Sequence, residues 1–384
     1  DYMRQVKKSY LLKLPLSLLL LFSLSSFGHG EPGVMREIST MELVKDMGLG
    51  WNLGNTLEAT GDWITGVFVA NYETAWGMPV TRKEMIDGLA AIGFKTVRIP
   101  VAWSNLMAPD YTIYPKLMDR VEEVVNYALD NNMYAIINIH WDGGWIKNAS
   151  MDYDGVLKKY RAIWTQVAER FKDYSDYLIF EALNEEGYYE DIWNPYSKQG
   201  DKKKAYGILN SLNQEFVNIV RASGGNNAKR HLLIAGYATD LYWTIDEEFK
   251  MPEDPANRLA VSIHYYYPST FTILENDASW GKAARTWGSR AEVEQVWRDM
   301  EVIKKHFVAR GIPVILGEYG ATKKNKDIAS VNKYILTVAE AALDTGICPI
   351  LWDTNAHYNR RTCSFNDKEL EAGLRRLIEK ASQR

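Results

Sequence analysis

The 384-residue chain contains only two cysteines, Cys348 and Cys363. So few cysteines exclude a disulfide-rich scaffold, and no Cys-x-x-Cys or Cys/His spacing indicates a structural zinc site. The two thiols can pair in an oxidising compartment or stay free, and their spacing does not decide between these states. Neither His-x-His nor His-Glu-x-x-His occurs, so we expect no catalytic metal and no cofactor.

The chain also has no excess of basic charge, with 45 Lys and Arg against 49 Asp and Glu and a formal net charge of -4. A mildly acidic chain lacks the positive field that holds nucleic acid or an anionic membrane surface. We therefore expect neither partner, and we expect a monomer that binds an uncharged substrate.

No hydrophobic run reaches the length of about 20 residues that a membrane span needs. A leucine-rich uncharged run covers residues 14–27, follows four basic residues and ends before Gly28. This pattern is typical of a secretory signal peptide with a small-x-small cleavage site. It predicts a signal peptide over residues 1–28, a secreted protein and a catalytic domain over residues 29–384, with a retained membrane anchor as the alternative.

Short apolar segments rich in β-branched residues alternate with segments of helical period along the rest of the chain. The predicted strands are 47–53, 96–101, 134–140, 177–183, 232–236, 259–265, 314–318 and 348–352, and the predicted helices are 81–92, 116–130, 155–171, 203–222, 290–309, 327–344 and 368–382. Eight such units predict an α/β fold with a single (β/α)8 barrel. An open doubly wound sheet is the alternative, but no Gly-x-Gly-x-x-Gly follows the first strand. Thr81 and Glu84 predict a capping box at the start of the helix 81–92.

Long loops follow the predicted strands, over 55–80, 185–201 and 268–289, whereas the turns that enter strands are short. Barrel enzymes build their sites at the face where the strands end. Polar and aromatic residues collect there, namely Trp51, Asn52, Asn55, Arg98, His140, Trp141, Asn184, Glu185, Tyr237, His264, Tyr266, Glu318 and Trp352. Each of these has a packing or ion-pair explanation taken singly, but together they predict an active site.

Two glutamates at strand ends, Glu185 and Glu318, form the natural chemical pair. Glycoside hydrolysis uses one carboxylic acid to protonate the leaving oxygen and one carboxylate to attack the anomeric carbon or activate water. Retaining and inverting enzymes differ in the separation of these groups, which the sequence alone does not give.

The segment 178–185, LIFEALNE, resembles the signature of family 5 glycoside hydrolases, the cellulase-type enzymes with a retaining mechanism and a (β/α)8 fold. Further segments match that family in its expected order: 50–58 (GWNLGNTLE), 97–101 (VRIPV), 138–141 (NIHW), 264–266 (HYY), 317–320 (GEYG) and 351–353 (LWD). Together they span nearly the whole predicted domain, and they most resemble the branch of endo-β-1,4-glucanases that includes xyloglucan-active and mixed-linkage members.

The resemblance implies a role for each matching position. Glu185 is the implied general acid/base and Glu318 the implied nucleophile. The residues implied to bind substrate or orient the carboxylates are Asn55, Arg98, His140, Trp141, Asn184, His264, Tyr266 and Trp352. Where the family often has proline after the acid/base, this chain has Glu186. A carboxylate there raises the pKa of Glu185 by repulsion.

The function that follows is a secreted retaining endo-β-1,4-glucanase acting on β-glucan. A xyloglucanase, mixed-linkage glucanase, mannanase or xylanase on the same site is the alternative among enzymes, since outer loops set substrate preference. A non-catalytic carbohydrate-binding barrel is the alternative from another class. Eleven of the 13 tryptophans fall at strand ends or in the loops that follow, which predicts a row of sugar platforms, although some must serve packing.

Overall fold

The computed structural model describes residues 33–383. The predicted signal peptide over residues 1–28 lies outside the described residues. Eight parallel strands, each paired with its sequence neighbour, close into a barrel in the order β1 to β8. The strands are β1 Gly50–Asn52, β2 Thr96–Ile99, β3 Tyr134–Asn138, β4 Leu178–Glu181, β5 Leu232–Ala235, β6 Leu259–Tyr265, β7 Val314–Tyr319 and β8 Cys348–Leu351. The predicted barrel is confirmed, because each strand falls where an apolar run was identified.

Helices surround the barrel. They are α1 Thr40–Asp46, α2 Val69–Glu73, α3 Lys83–Ile92, α4 Pro115–Leu129, α5 Tyr153–Phe171, α6 Lys202–Ala222, α7 Leu241–Thr244, α8 Ser269–Thr272, α9 Arg290–His306, α10 Ile328–Asp344 and α11 Lys368–Ser382. The seven predicted helices lie close to their expected positions, whereas α1, α2, α7 and α8 were not predicted. An antiparallel pair, β9 Tyr358–Asn359 and β10 Ser364–Phe365, precedes α11. The connection from β5 to β6 contains only a 3-10 turn over Tyr237–Thr239 and the single turn of α7, so the alternation of strands with long helices is incomplete there.

The predicted capping box at Thr81 and Glu84 is wrong. Helix α3 begins at Lys83, and its N-cap, Arg82, makes no side-chain cap. Thr81 is buried, and its backbone N–H donates 2.7 Å to the carboxylate of Glu73, which fixes the chain one residue before the cap. A complete capping box instead starts α1, where Ser39 and Glu42 satisfy each other's backbone N–H groups.

Apolar side chains form two layers. Those that point out of the strands pack beneath the surrounding helices, as with Val97 and Ile137. Those that point into the lower barrel, such as Ile136 and Ile179, pack against Leu43 of α1, which closes this end. This packing leaves the opposite end, where the strands finish, as the open face of the barrel.

Both cysteines are free thiols, Cys348 buried in the lower barrel and Cys363 half-buried in the turn between β9 and β10. Among residues 33–383, no helix combines the length and the apolar character needed to cross a bilayer. The long loops 55–80, 185–201 and 268–289 all follow strands, so they border the open face as predicted.

Candidate active site

Arg98 projects from β2 into the barrel and is fully buried. Its Nε and Nη2 donate to both carboxylate oxygens of Glu181, at 2.7 and 3.1 Å, and its Nη1 donates 2.9 Å to Glu318. Nη1 and Nη2 also donate to the side-chain oxygens of Asn52 and Asn184, at 3.0 and 2.9 Å. Burial lowers the pKa of the guanidinium, but Glu181 and Glu318 outweigh it and the net shift is upward. The buried charge is therefore fully paired, which a charge in this environment requires.

The carboxylate of Glu318, at the end of β7, has a donor on each oxygen. Arg98 donates to Oε1, and the hydroxyl of Tyr266 donates 2.8 Å to Oε2. Only 8% of the Glu318 side chain is exposed. Burial, followed by the charges of Glu318 and Glu185, holds the pKa of Tyr266 well above its usual value, so this phenol remains a neutral donor.

The pairing of β6 with β7 shifts register between Ile263 and His264, so that His264 pairs with Glu318. Such irregularities re-aim side chains near active sites. A Cβ on Gly317 would lie 2.9 Å from both His264 Nε2 and Ser262 Oγ, so only glycine lets the imidazole lie against β7. The bulge and this glycine together place His264 between the two glutamates.

Glu185 follows β4 and is held by one side-chain contact, 2.8 Å from its Oε1 to His264 Nδ1. Although 47% of its side chain is exposed, the cleft walls desolvate the carboxyl group and raise its pKa against the opposing effect of Arg98. Burial is also the main cause that lowers the pKa of His264 to about 4, so the imidazole is neutral near neutral pH. A neutral imidazole can accept a hydrogen bond from protonated Glu185 or donate one to its carboxylate, depending on tautomer.

One carboxylate oxygen of Glu185, one of Glu318 and a ring nitrogen of His264 all lie within 4.8 Å of one another. Retaining glycosidases hold their two carboxyl groups about 5–5.5 Å apart, and inverting enzymes hold them farther apart to leave room for a water. The short gap between these carboxylate oxygens agrees with the closer arrangement. Within residues 33–383, the same three side chains are the group whose spacing fits a metal ion. Both oxygens of Glu318 already accept hydrogen bonds from protein donors, which does not favour metal binding. The expectation that the site holds no metal stays a prediction.

An open cavity of about 310 Å³ lies beside Glu185. Its walls are formed by Glu58, Trp76, His140, Trp141, Lys147, Asn184, Glu185, Glu186 and Trp352. The rings of His140 and Trp352 are parallel, with an interplanar angle of 4° and centroids 6.0 Å apart. Burial, together with Arg98 and His264, keeps the pKa of His140 well below its usual value, so this imidazole is uncharged. Larger surface cavities of about 660 and 470 Å³ lie beside α5 and α9, lined by neither catalytic carboxylate.

The structure thus brings together most of the predicted site residues. Arg98, His264 and Tyr266 contact one or both glutamates directly, Asn184 accepts a hydrogen bond from Arg98, and the cavity adds His140, Trp141 and Trp352. Asn55 differs, because it adopts a positive φ of 59° and its backbone N–H donates to the carboxylate of Glu58. Its side chain has no recorded contact with either catalytic glutamate.

Sequence reasoning assigned no role to Glu181 or Glu58. Glu181 anchors Arg98 from within the barrel, and its place in an apolar strand, two residues after the inward-facing Ile179, is the available signal. Glu58 lies in the cavity wall, where burial raises the pKa of its carboxyl to about 7 despite donors that include the backbone of Thr56. The sequence signal for Glu58 is its place at the end of the family-like segment 50–58, which did not by itself assign the residue a role.

The predicted row of tryptophan platforms is only partly supported. Trp51 and Trp103 are completely buried, and their indole N–H groups donate to Asp353 and to the backbone of Asn138. Large exposed indole surfaces at this face belong to Trp63, Trp141 and Trp280, which are 68%, 48% and 60% exposed. The position of a tryptophan at a strand end therefore did not predict whether its ring is exposed for binding or buried in the packing.

A family model described as cellulase (glycosyl hydrolase family 5) matches residues 57–358. Endoglucanase B of Clostridium cellulovorans is 40% identical over 323 residues, which cover 83% of this chain and 69% of that protein. Endoglucanase A of Ruminococcus albus is 39% identical over 365 residues, covering 91% of this chain and 96% of that protein. The likeness therefore extends over nearly the whole barrel.

A solved structure is similarly close. A GH5-4 broad specificity endoglucanase from Ruminococcus champanellensis with bound cellotriose superposes with a TM-score of 0.80 and 38% identity, covering 89% of this chain and 99% of that one. The agreement in sequence, fold and length is consistent with the motif order found in the sequence.

Proposed function

Since this chain belongs to glycosyl hydrolase family 5 and is a glycoside hydrolase of the endoglucanase type, we propose that it cleaves internal β-1,4-glucosidic bonds by double displacement on Glu318 and Glu185. The observation that carries this proposal is the pair of carboxylates within 4.8 Å, one tightly held by donors and one with a raised pKa. These are the two different environments that a nucleophile and a general acid need.

In the first step, a carboxylate oxygen of Glu318 attacks the anomeric carbon and forms a covalent bond to the sugar. The bond to the glycosidic oxygen breaks, and protonated Glu185 gives its proton to that oxygen. In the second step, water attacks the anomeric carbon and releases Glu318 while Glu185 accepts a proton from the water. Two inversions leave the product in the β-configuration of the substrate.

The remaining residues position these groups. Arg98 and Tyr266 restrain the Glu318 carboxylate, and Arg98 also fixes the amide of Asn184. This leaves the Asn184 NH₂ group to donate to the sugar 2-hydroxyl, an interaction that strengthens in the transition state. Trp352, backed by His140, supplies an apolar face for a sugar ring.

A β-glucan is the proposed substrate, on the basis of the bound cellotriose in the R. champanellensis neighbour and the names of the relatives. Because that neighbour is described as a broad specificity endoglucanase, xyloglucan and mixed-linkage glucan are the first further polysaccharides to compare by rate. We also propose that the protein is secreted, because of the leader pattern in residues 1–28.

The test is hydrolysis of soluble carboxymethyl cellulose and cellotetraose by the wild type and by Glu318→Ala and Glu185→Ala. We expect Glu318→Ala to lose roughly 10⁵-fold in kcat/KM, the scale of removing a covalent nucleophile. Proton NMR of the first product formed by the wild type should show the β-anomer. Full activity in Glu318→Ala, or an initial α-anomer, would overturn the mechanism, and wild-type binding without turnover would support a carbohydrate-binding barrel.

A further inference from the structure

Glu186, directly after the proposed acid/base, has a buried carboxyl oxygen, Oε2, without a hydrogen-bond partner among the described residues. The residue is 3% exposed, and among residues 33–383 its Oε2 has no donor or acceptor within reach. It forms part of the wall of the 310 Å³ cavity that also contains Glu185. A buried polar group without a partner is costly, so its presence calls for a ligand that completes it.

The backbone around Glu186 is held in place. The carbonyl of Glu186 accepts a 2.7 Å hydrogen bond from the N–H of Ala238, and the N–H of Tyr188 donates 3.1 Å to the hydroxyl of Tyr237. Gly187 between them has a φ of 142°, and a Cβ there would meet Ala238 N at 2.9 Å. The loop after β5 therefore fixes the loop after β4, and the carboxyl group cannot move to solvent with its backbone.

The charges around Glu186 do not supply the missing partner. Burial raises the pKa of its carboxyl to about 7, with an opposing effect from Lys147 and a further increase from Glu185. Lys147 stands on the segment after β3, while the phenols of Tyr160 from α5 and Tyr189 from its own loop also lie within electrostatic range. The hydroxyl of Tyr189 is itself buried and without a partner.

We propose that Glu186 is a substrate-binding residue whose carboxyl group forms a hydrogen bond with a hydroxyl of the β-glucan chain. This inference rests on the proposed function, since it places a sugar in the cavity beside Glu185. A sugar hydroxyl both donates and accepts, so it satisfies the carboxyl group whether or not that group is protonated. The position that often carries proline in related enzymes is thus a polar contact in this chain.

Replacing a residue with this role should change stability and substrate binding in opposite directions. An apolar side chain of similar length should stabilise the free protein, because it removes an unpartnered buried carboxyl group. It should also weaken substrate binding, because the sugar hydroxyl loses its partner. A residue that serves packing alone would not show the second effect.

The experiment measures cellotetraose binding by calorimetry in the Glu318→Ala background, which prevents turnover. Adding Glu186→Met should weaken binding about tenfold and raise the melting temperature by about 1–3 °C. Glu186→Gln should bind within about threefold of the background, because an amide keeps the hydrogen bond. The matched control is Glu190→Met, an exposed glutamate on the same loop, which should change neither quantity.

Equal binding by the Glu186→Met and background proteins would overturn the inference while leaving the proposed function intact. A lower melting temperature in Glu186→Met, together with weak binding by Glu186→Gln, would identify a structural role for Glu186. That result would also overturn the inference. If no variant, including the background, binds cellotetraose, the proposed function has failed instead. The wild-type hydrolysis assay separates these cases.

Discussion

The two strand ends that carry Glu318 and Glu185 hold these carboxyl groups in different ways. Glu318, at the end of β7, receives hydrogen bonds from Arg98 and Tyr266 on separate oxygens, and 8% of its side chain is exposed. Glu185, after β4, has a single contact with His264, and 47% of its side chain is exposed. The Glu318 carboxylate is part of the buried hydrogen-bond network around Arg98, and the Glu185 carboxyl group lies at the edge of the cleft.

The difference corresponds to what each group does in the proposed cycle. A nucleophile must stay ionised and aligned, which several fixed donors ensure. A group that gives and then takes a proton needs a pKa near the working pH and few donors that stabilise its charge. The predictions below test whether this contrast controls stability, leaving-group dependence and pH dependence.

The largest effect is expected from Arg98→Met, which removes the partner that Glu318 shares with the buried Glu181. Unfolding free energy should fall by about 3–5 kcal/mol, because a buried carboxylate is left unpaired. Activity should fall at least roughly 10³-fold through loss of donors to the nucleophile. Denaturant unfolding and kcat/KM measure the two effects.

The control for this prediction is the double variant Arg98→Met/Glu181→Leu. It should recover much of the stability, because the orphaned charge is gone, but it should not recover activity. If the unfolding free energy of Arg98→Met equals that of the wild type, the stability of the barrel does not depend on the ion pairs of Arg98.

Next in size is the leaving-group dependence of Glu185→Ala. On cellotetraose we expect a loss of about a hundredfold to a thousandfold in kcat for bond cleavage, within the range of general acid catalysis. On 2,4-dinitrophenyl cellobioside, whose leaving group needs no proton, the first step should stay within about tenfold of the wild type. Single-turnover kinetics isolate that step, and Glu318→Ala should be inactive on both substrates. An equal loss on the two substrates would assign Glu185 another role.

The smallest effect is the pH dependence. Burial raises the pKa of Glu185, and the first step needs its protonated form, so kcat/KM should fall by about tenfold per pH unit above that raised pKa. His264 is already neutral in this range, because its pKa is about 4. The pH profile on cellotetraose tests this, and Glu185→Ala on the dinitrophenyl substrate should lack the alkaline fall. A fall that persists in the variant would point to another group.

The barrel was predictable because each buried parallel strand is a short apolar run and most of the runs are separated by helical segments. The β6 strand, Leu259–Tyr265, matches its predicted bounds, and others differ by a few residues at their ends. Helix α1 and its capping box at Ser39 were missed, since seven residues give too short a helical period to recognise.

For the site, the sequence predicted which residues take part and which strand each of them follows. The two glutamates and Arg98 stand out as charged groups in apolar segments, but which carboxylate Arg98 pairs with depends on the direction of inward-facing side chains across three strands. The capping prediction at Thr81 failed for a similar reason, because a distant glutamate, Glu73, takes the backbone N–H. Exposure of each tryptophan likewise depends on how the loops fold back.

The network around Arg98 also bears on how this enzyme can be altered. Asn52, Arg98, Glu181 and Glu318 all lie on barrel strands, so the rim loops contribute none of these groups. Grafting a different loop over residues 55–80 or 268–289 should therefore leave the nucleophile aligned while it changes which polysaccharide fits. The barrel strands thus hold the proposed reacting groups, whereas the rim loops can be exchanged. Redesign of the substrate range requires this division between strands and loops.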